Sequence, residues 1–125
     1  MPAGPESSQS GAARSGRVMN AAESYYRGLC LRKLGQEASA RGVFEDLVKT
    51  GQETLEGADA GAVPGDASRA WRQMRATRAA AHYAAGLGYL GLHEDLRARD
   101  ELSQALRASP DHLGARTTLA RLKRP

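Results

Sequence analysis

Cys30 is the only cysteine in the sequence, so no disulfide can form within the chain, and a reducing compartment is the simpler setting. Aromatic residues make up only 5% of the chain, with one Phe and one Trp, which leaves few platforms for stacking nucleic-acid bases. No apolar run approaches the ~20 residues that span a bilayer, and the polar N-terminus lacks the apolar core of a signal peptide. A soluble, cytoplasmic protein without membrane contact is therefore expected. His82, His93 and His112 show no metal-ligand pairing and no H-E-x-x-H, and one cysteine cannot make a zinc set. Neither metal nor cofactor is expected. Cys30 falls on the apolar face of a helix, where a free cysteine is an inert core residue, and no basic partner is identifiable to activate it. With no acid, base or nucleophile set, no enzymatic activity is expected.

What the sequence has in quantity is Ala, Leu and Arg, which favour helix over sheet. The 125 residues suit one domain, and 41% hydrophobic against 26% charged residues is an ordinary globular balance. The net charge of +4 permits acidic partners without demanding them.

Residues 1–18, rich in Pro, Gly, Ser and Ala, read as a disordered tail. A first helix is expected from about Asn20, its N-cap, with Ala22, Tyr25, Tyr26, Leu29, Cys30 and Leu34 on one apolar face and Gly35 as its end. A second follows from Glu37 to Lys49 on Ala40, Val43, Phe44, Leu47 and Val48, with Gly51 as its stop. Residues 52–66, which include Pro64-Gly65, read as a long loop. Helix resumes near Ala67 and continues to Leu90, opening with a basic extension over 67–78. A fourth helix spans Glu94 to Ala108 on Leu96, Ala98, Leu102, Ala105 and Leu106, after a Leu92-His93 turn. Ser109-Pro110 breaks it, and Asp111 caps a closing helix (112–125) carrying Leu113, Leu119 and Leu122.

Two stretches share a register. Gly28 is followed 12 positions later by Ala40 and four further on by Phe44; Gly86 is followed at the same intervals by Ala98 and Leu102. A Gly inside a helix costs ~1 kcal/mol relative to Ala, which close approach of a neighbouring helix explains. One helix pair used twice, over 19–51 and 79–111, is the result. The expected fold is all-α: two helix hairpins, a long loop between them and a closing C-terminal helix.

These residues resemble the tetratricopeptide repeat, whose pattern is W-x₂-L-G-x₂-Y, then A-x₃-F, then P. The second copy offers His82-x₂-Ala85-Gly86-x₂-Tyr89, Ala98-x₃-Leu102 and Pro110; the first offers Ser24-x₂-Arg27-Gly28-x₂-Leu31 and Ala40-x₃-Phe44, with Gln52 in the Pro slot. The Trp is missing from both copies, His82 standing in its slot in the second, and Arg27 departs from the Leu. More loosely, a YYRGLxLRxLG helix, an irregular insertion and a GLGYLGL helix are similar to the C-terminal segment of large bacterial members of the family. The resemblance implies an α-α superhelix and a non-catalytic scaffold that binds a peptide or partner helix in a concave groove. Carried over, the groove positions are Tyr25, Leu29, Arg32 and Lys33, then Tyr83, Leu87, Leu90 and Arg121. An aromatic-aliphatic floor with a basic edge suits an apolar peptide with an acidic flank. The same tyrosines and leucines equally suit packing between repeats.

Two further signals remain. Gly86, Gly88 and Gly91 satisfy the letters of G-x-G-x-x-G, but they lie within a helix and follow no strand, so nucleotide binding is not expected. Arg69, Arg72, Arg75 and Arg78 form a ladder with Ala70, Met74 and Ala81 opposite and Trp71 at the border. Such a face could contact phosphates, and a basic nucleic-acid-binding protein is the alternative function. Two helix pairs are fewer than such arrays normally need, so either the extension around Trp71 supplies burial or the chain forms a homodimer.

Overall fold

The computed structural model describes residues 20–60 and 67–123. Its helices are α1 (Ala21–Lys33), α2 (Glu37–Ala60), α3 (Ala67–Gly91), α4 (Asp95–Ala108) and α5 (Leu113–Lys123). No strand occurs among the described residues, so the protein is all-α. None of these helices is long and apolar enough to cross a membrane. The tail expected over 1–18 and the segment 61–66 lie outside the described residues.

α1 pairs with α2 and α3 with α4. α2 also packs along α3, α1 touches α3, and α5 closes against α4. Both hairpin turns are built alike. After α1, the Gln36 N–H donates to the Leu31 carbonyl (2.9 Å) and that of Gly35 to Arg32 (3.0 Å). After α3, Glu94 donates to Tyr89 (2.9 Å) and His93 to Leu90 (3.1 Å). This is a Schellman motif, which needs a left-handed residue just past the helix. Gly35 fills that position with φ 82°, and His93 fills it with φ 65°.

Small residues let the helices close on one another. A Cβ at Gly28 would lie 2.6 Å from the Phe44 ring, and one at Gly86 would lie 2.9 Å from Leu102 Cγ. Phe44 and Leu102 are the largest fully buried side chains, and Ala40 and Ala98, one turn before them, are also fully buried. Burying a Phe or Leu side chain contributes about 1.5–3 kcal/mol. The shared register of the sequence is therefore a shared packing geometry.

Several expectations are corrected. α2 does not stop at Lys49 but runs to Ala60, so most of the expected loop over 52–66 is helix. Gly51 is a crossing point: a Cβ there would lie 2.6 Å from the Ala81 carbonyl and 3.0 Å from the Ala85 nitrogen on α3. The added length also buries Thr50, and Gln52 donates to the Tyr89 hydroxyl (3.2 Å). α2 packs along α3, the helix whose extension carries Trp71, while Trp71 itself is 58% exposed. Leu34, Leu96 and Leu113 are more than two-thirds exposed, and Cys30 is exposed too, each expected on a packed face. Ala70, expected on the covered side of the ladder, is also exposed.

One expected cap keeps its position without a side-chain bond, and another is replaced. Asn20 makes no side-chain cap bond to α1. At α5 the cap is His112, not Asp111: the Ala115 N–H donates to His112 Nδ1 at 3.1 Å. Ser109 ends α4 in extended conformation, as the residue before a proline is driven to do.

Candidate functional site

α1, α3 and α5 face a common groove of about 290 Å³. Tyr25 and Leu29 reach it from α1, Tyr83, Leu87 and Leu90 from α3, and Arg121 from α5. Helical periodicity aims each set: 25 and 29, then 83, 87 and 90, repeat at three and four residues along one face. Seven of the eight groove positions expected from the sequence line it, Arg32 being the seventh. Lys33 is exposed and turns away.

The floor is aromatic. The Tyr25 ring packs 5.8 Å from that of Phe44 and 5.5 Å from that of Tyr26. Tyr83 lies 4.8 Å from the His112 ring. Burial raises both phenols above the ordinary 10, for Tyr25 with help from Tyr26, and for Tyr83 against the opposing pull of the Thr118 hydroxyl. Both therefore stay neutral near pH 7, offering hydroxyl donors on an apolar surface.

Arg32 does something the sequence did not signal. Its Nε and Nη2 donate to the two carboxylate oxygens of Glu37, each at 3.1 Å. Nη2 also donates to the Gly91 carbonyl at 2.8 Å, and the guanidinium lies 5.0 Å over the Phe44 ring. It is a clamp between α1, the start of α2 and the end of α3, rather than a basic edge held ready for a ligand. Its hydrogen bonds hold the Glu37 carboxyl below its ordinary 4.5. Arg121 remains as an exposed cation of the groove among the described residues, and His93 and Asp95 at the α3–α4 turn line the same groove. Those two, with Thr118 and Leu122, belong to the groove but went unnoticed in the sequence. Turn residues and a short closing helix carry no periodic signal that assigns them to a shared concavity.

Of the arginine ladder, Arg69, Arg72 and Arg75 are exposed and Arg78 is half-buried. Arg75 donates from Nε to the Ala108 carbonyl at the end of α4 (3.1 Å). Arg75 and half-buried Arg78 line a separate cleft between α3 and α4. His82, also in that cleft, pairs through Nδ1 with Glu101 Oε1 at 2.8 Å, both side chains largely buried.

Gly86, Gly88 and Gly91 all lie within α3, against Leu102, Val48 and Phe44 respectively. Each is a contact between helices rather than part of a phosphate-binding loop. Among the described residues, no group of three or more His, Cys, Asp or Glu is placed to hold a metal ion. No protein-family model, no curated protein and no solved structure matches the chain.

Proposed function

We propose that the protein is a non-catalytic interaction module of the tetratricopeptide kind, a scaffold or adaptor acting in the cytoplasm. The helices would belong to an α-α superhelix, with the groove of α1, α3 and α5 receiving a peptide or partner helix. One observation carries the reading: Tyr25, Leu29, Tyr83, Leu87, Leu90 and Arg121, drawn from three helices, line one concavity. Its repeated register, Gly28 against Phe44 and Gly86 against Leu102, supports the repeat architecture. An apolar floor with Arg121 at its rim suits an apolar segment with an acidic flank; aromatic anchors of this sort dominate interface energetics.

The test is selection of binding peptides from a random library on the immobilised protein, followed by affinity measurements with Arg121→Glu and Tyr25→Ala. Both changes should weaken selected acidic-flanked peptides about tenfold or more, with melting curves of the variants confirming that they fold. Peptides that bind both folded variants as well as wild type would remove the groove from consideration. The nucleic-acid alternative would use Arg69, Arg72 and Arg75, which are exposed on α3. A salt titration of binding to generic DNA decides it, because a phosphate-led interaction falls steeply with added salt.

A further inference from the structure

The cleft between the first half of α3 and the last turns of α4 has a volume of about 350 Å³ and is separate from the groove. Arg75, Arg78 and Arg107 bring three guanidinium groups to it, and among the described residues lining it there is no carboxylate. Trp71 and Met74 supply an apolar wall, with Trp71 58% exposed. Arg75 is oriented by its bond to the Ala108 carbonyl; a guanidinium carries five N–H donors, so others remain for a ligand. His82 is tied to Glu101, which occupies that carboxylate within the protein.

We propose that this cleft is a second docking site, taking a short acidic peptide segment that carries one large apolar side chain. Carboxylates would sit against the guanidinium forks, whose planar geometry matches them in pairs. The apolar side chain would cover Trp71 and Met74. An exposed indole beside the guanidinium groups of Arg75 and Arg107 is the pairing that makes an anchor residue effective. A peptide fits better than a nucleic-acid strand on two counts. The cations converge on one cleft instead of tracking along a surface, and only one aromatic side chain is present to stack a base.

Trp71 is the only tryptophan in the chain, so its fluorescence reports on this cleft alone. The probe is a synthetic pentapeptide with four glutamates around a central phenylalanine, titrated into the full chain. Expected is a saturable change in Trp71 emission in the micromolar range, weakened about tenfold by Arg107→Glu. Arg116→Glu, which makes the same charge change outside the cleft, should leave the curve in place. So should Arg121→Glu in the groove, which separates failure of this site from failure of that one. If Arg107→Glu loses helicity, Gln104→Glu places a carboxylate in the same wall and carries the comparison. The proposal is overturned by any of four results: no emission change, an equal response to the all-glutamine peptide, equal weakening by Arg107→Glu and Arg116→Glu, or tighter saturation by a single-stranded oligonucleotide.

Discussion

Arg32 on α1 donates to the main-chain carbonyl of Gly91, the last residue of α3, at 2.8 Å across 59 positions of sequence. The final carbonyls of a helix have no partner inside it and carry partial negative charge, so a cation there is favourable. The motif recurs: Arg75 donates to Ala108 at the end of α4, and Arg99 to Leu122 near the end of α5 at 3.4 Å. Part of the basic excess of this chain is thus engaged at helix ends.

Replacing Arg32 by Ala should destabilise the protein by about 1.5–3 kcal/mol, the range for a hydrogen bond to a charged group in a partly buried setting. Lys should restore little, because one ammonium cannot span both Glu37 oxygens and the Gly91 carbonyl. Urea midpoints of the three proteins measure this, and a fully stable Arg32→Lys variant would show that charge alone suffices.

Glycine to alanine changes should split by position. Gly42 faces open space, so Gly42→Ala should gain about 0.5–1 kcal/mol from helix propensity alone. Gly28→Ala must displace the Phe44 ring, and Gly51→Ala must part α2 from the α3 backbone. Overpacking of this kind costs about 1–3 kcal/mol. Thermal melts should therefore rank Gly42→Ala above wild type and Gly51→Ala below it.

His93 holds a left-handed conformation that costs a non-glycine residue about 1–2 kcal/mol. Its side chain is exposed. His93→Gly should raise stability by about 0.5–1 kcal/mol after the extra chain entropy of glycine is subtracted. A lower melting temperature would mean that the imidazole makes a contact that outweighs the strain.

His112 should make stability depend on pH. Burial lowers its pKa from 6.5, while a backbone hydrogen bond raises it by less, and only the neutral ring can accept from the Ala115 N–H. As pH falls through 6.5 the unfolded chain takes up this proton before the native state does. The contribution is therefore complete above 6.5 and lost below it, towards the folded pKa. His112→Asn caps the helix without titrating. Denaturation above and below pH 6.5 should show a smaller loss on acidification for that variant than for wild type.

The legible parts of the fold were those written into short-range spacing. Ala40 and Phe44, like Ala98 and Leu102, stand one turn apart on one helix face, so hairpins and core were visible. So was the break at Pro110, since a proline removes a donor and restricts its predecessor. Gly51 was misleading because a glycine marks a helix end and a helix crossing with the same letter. In the second copy Pro110 distinguishes the two; in the first, Gln52 stands in that slot and the helix runs on. Groove positions on α1 and α3 were legible as helix faces, whereas His93, Asp95 and Thr118 were not. The engagement of Arg32 with Gly91 was equally invisible, because nothing local ties residues 59 apart.

The sequence by itself determined an all-helical chain, two hairpins in one register and the glycine that turns the first. Those follow from preferences resolved within a turn or two of backbone. Tertiary structure alone decided that Gly51 is a contact, that Leu96 and Leu113 face water, and that Arg75 reaches the carbonyl at the end of α4. Burial and pairing of a side chain depend on which distant surface comes to lie against it, and helix periodicity cannot say which surface that is.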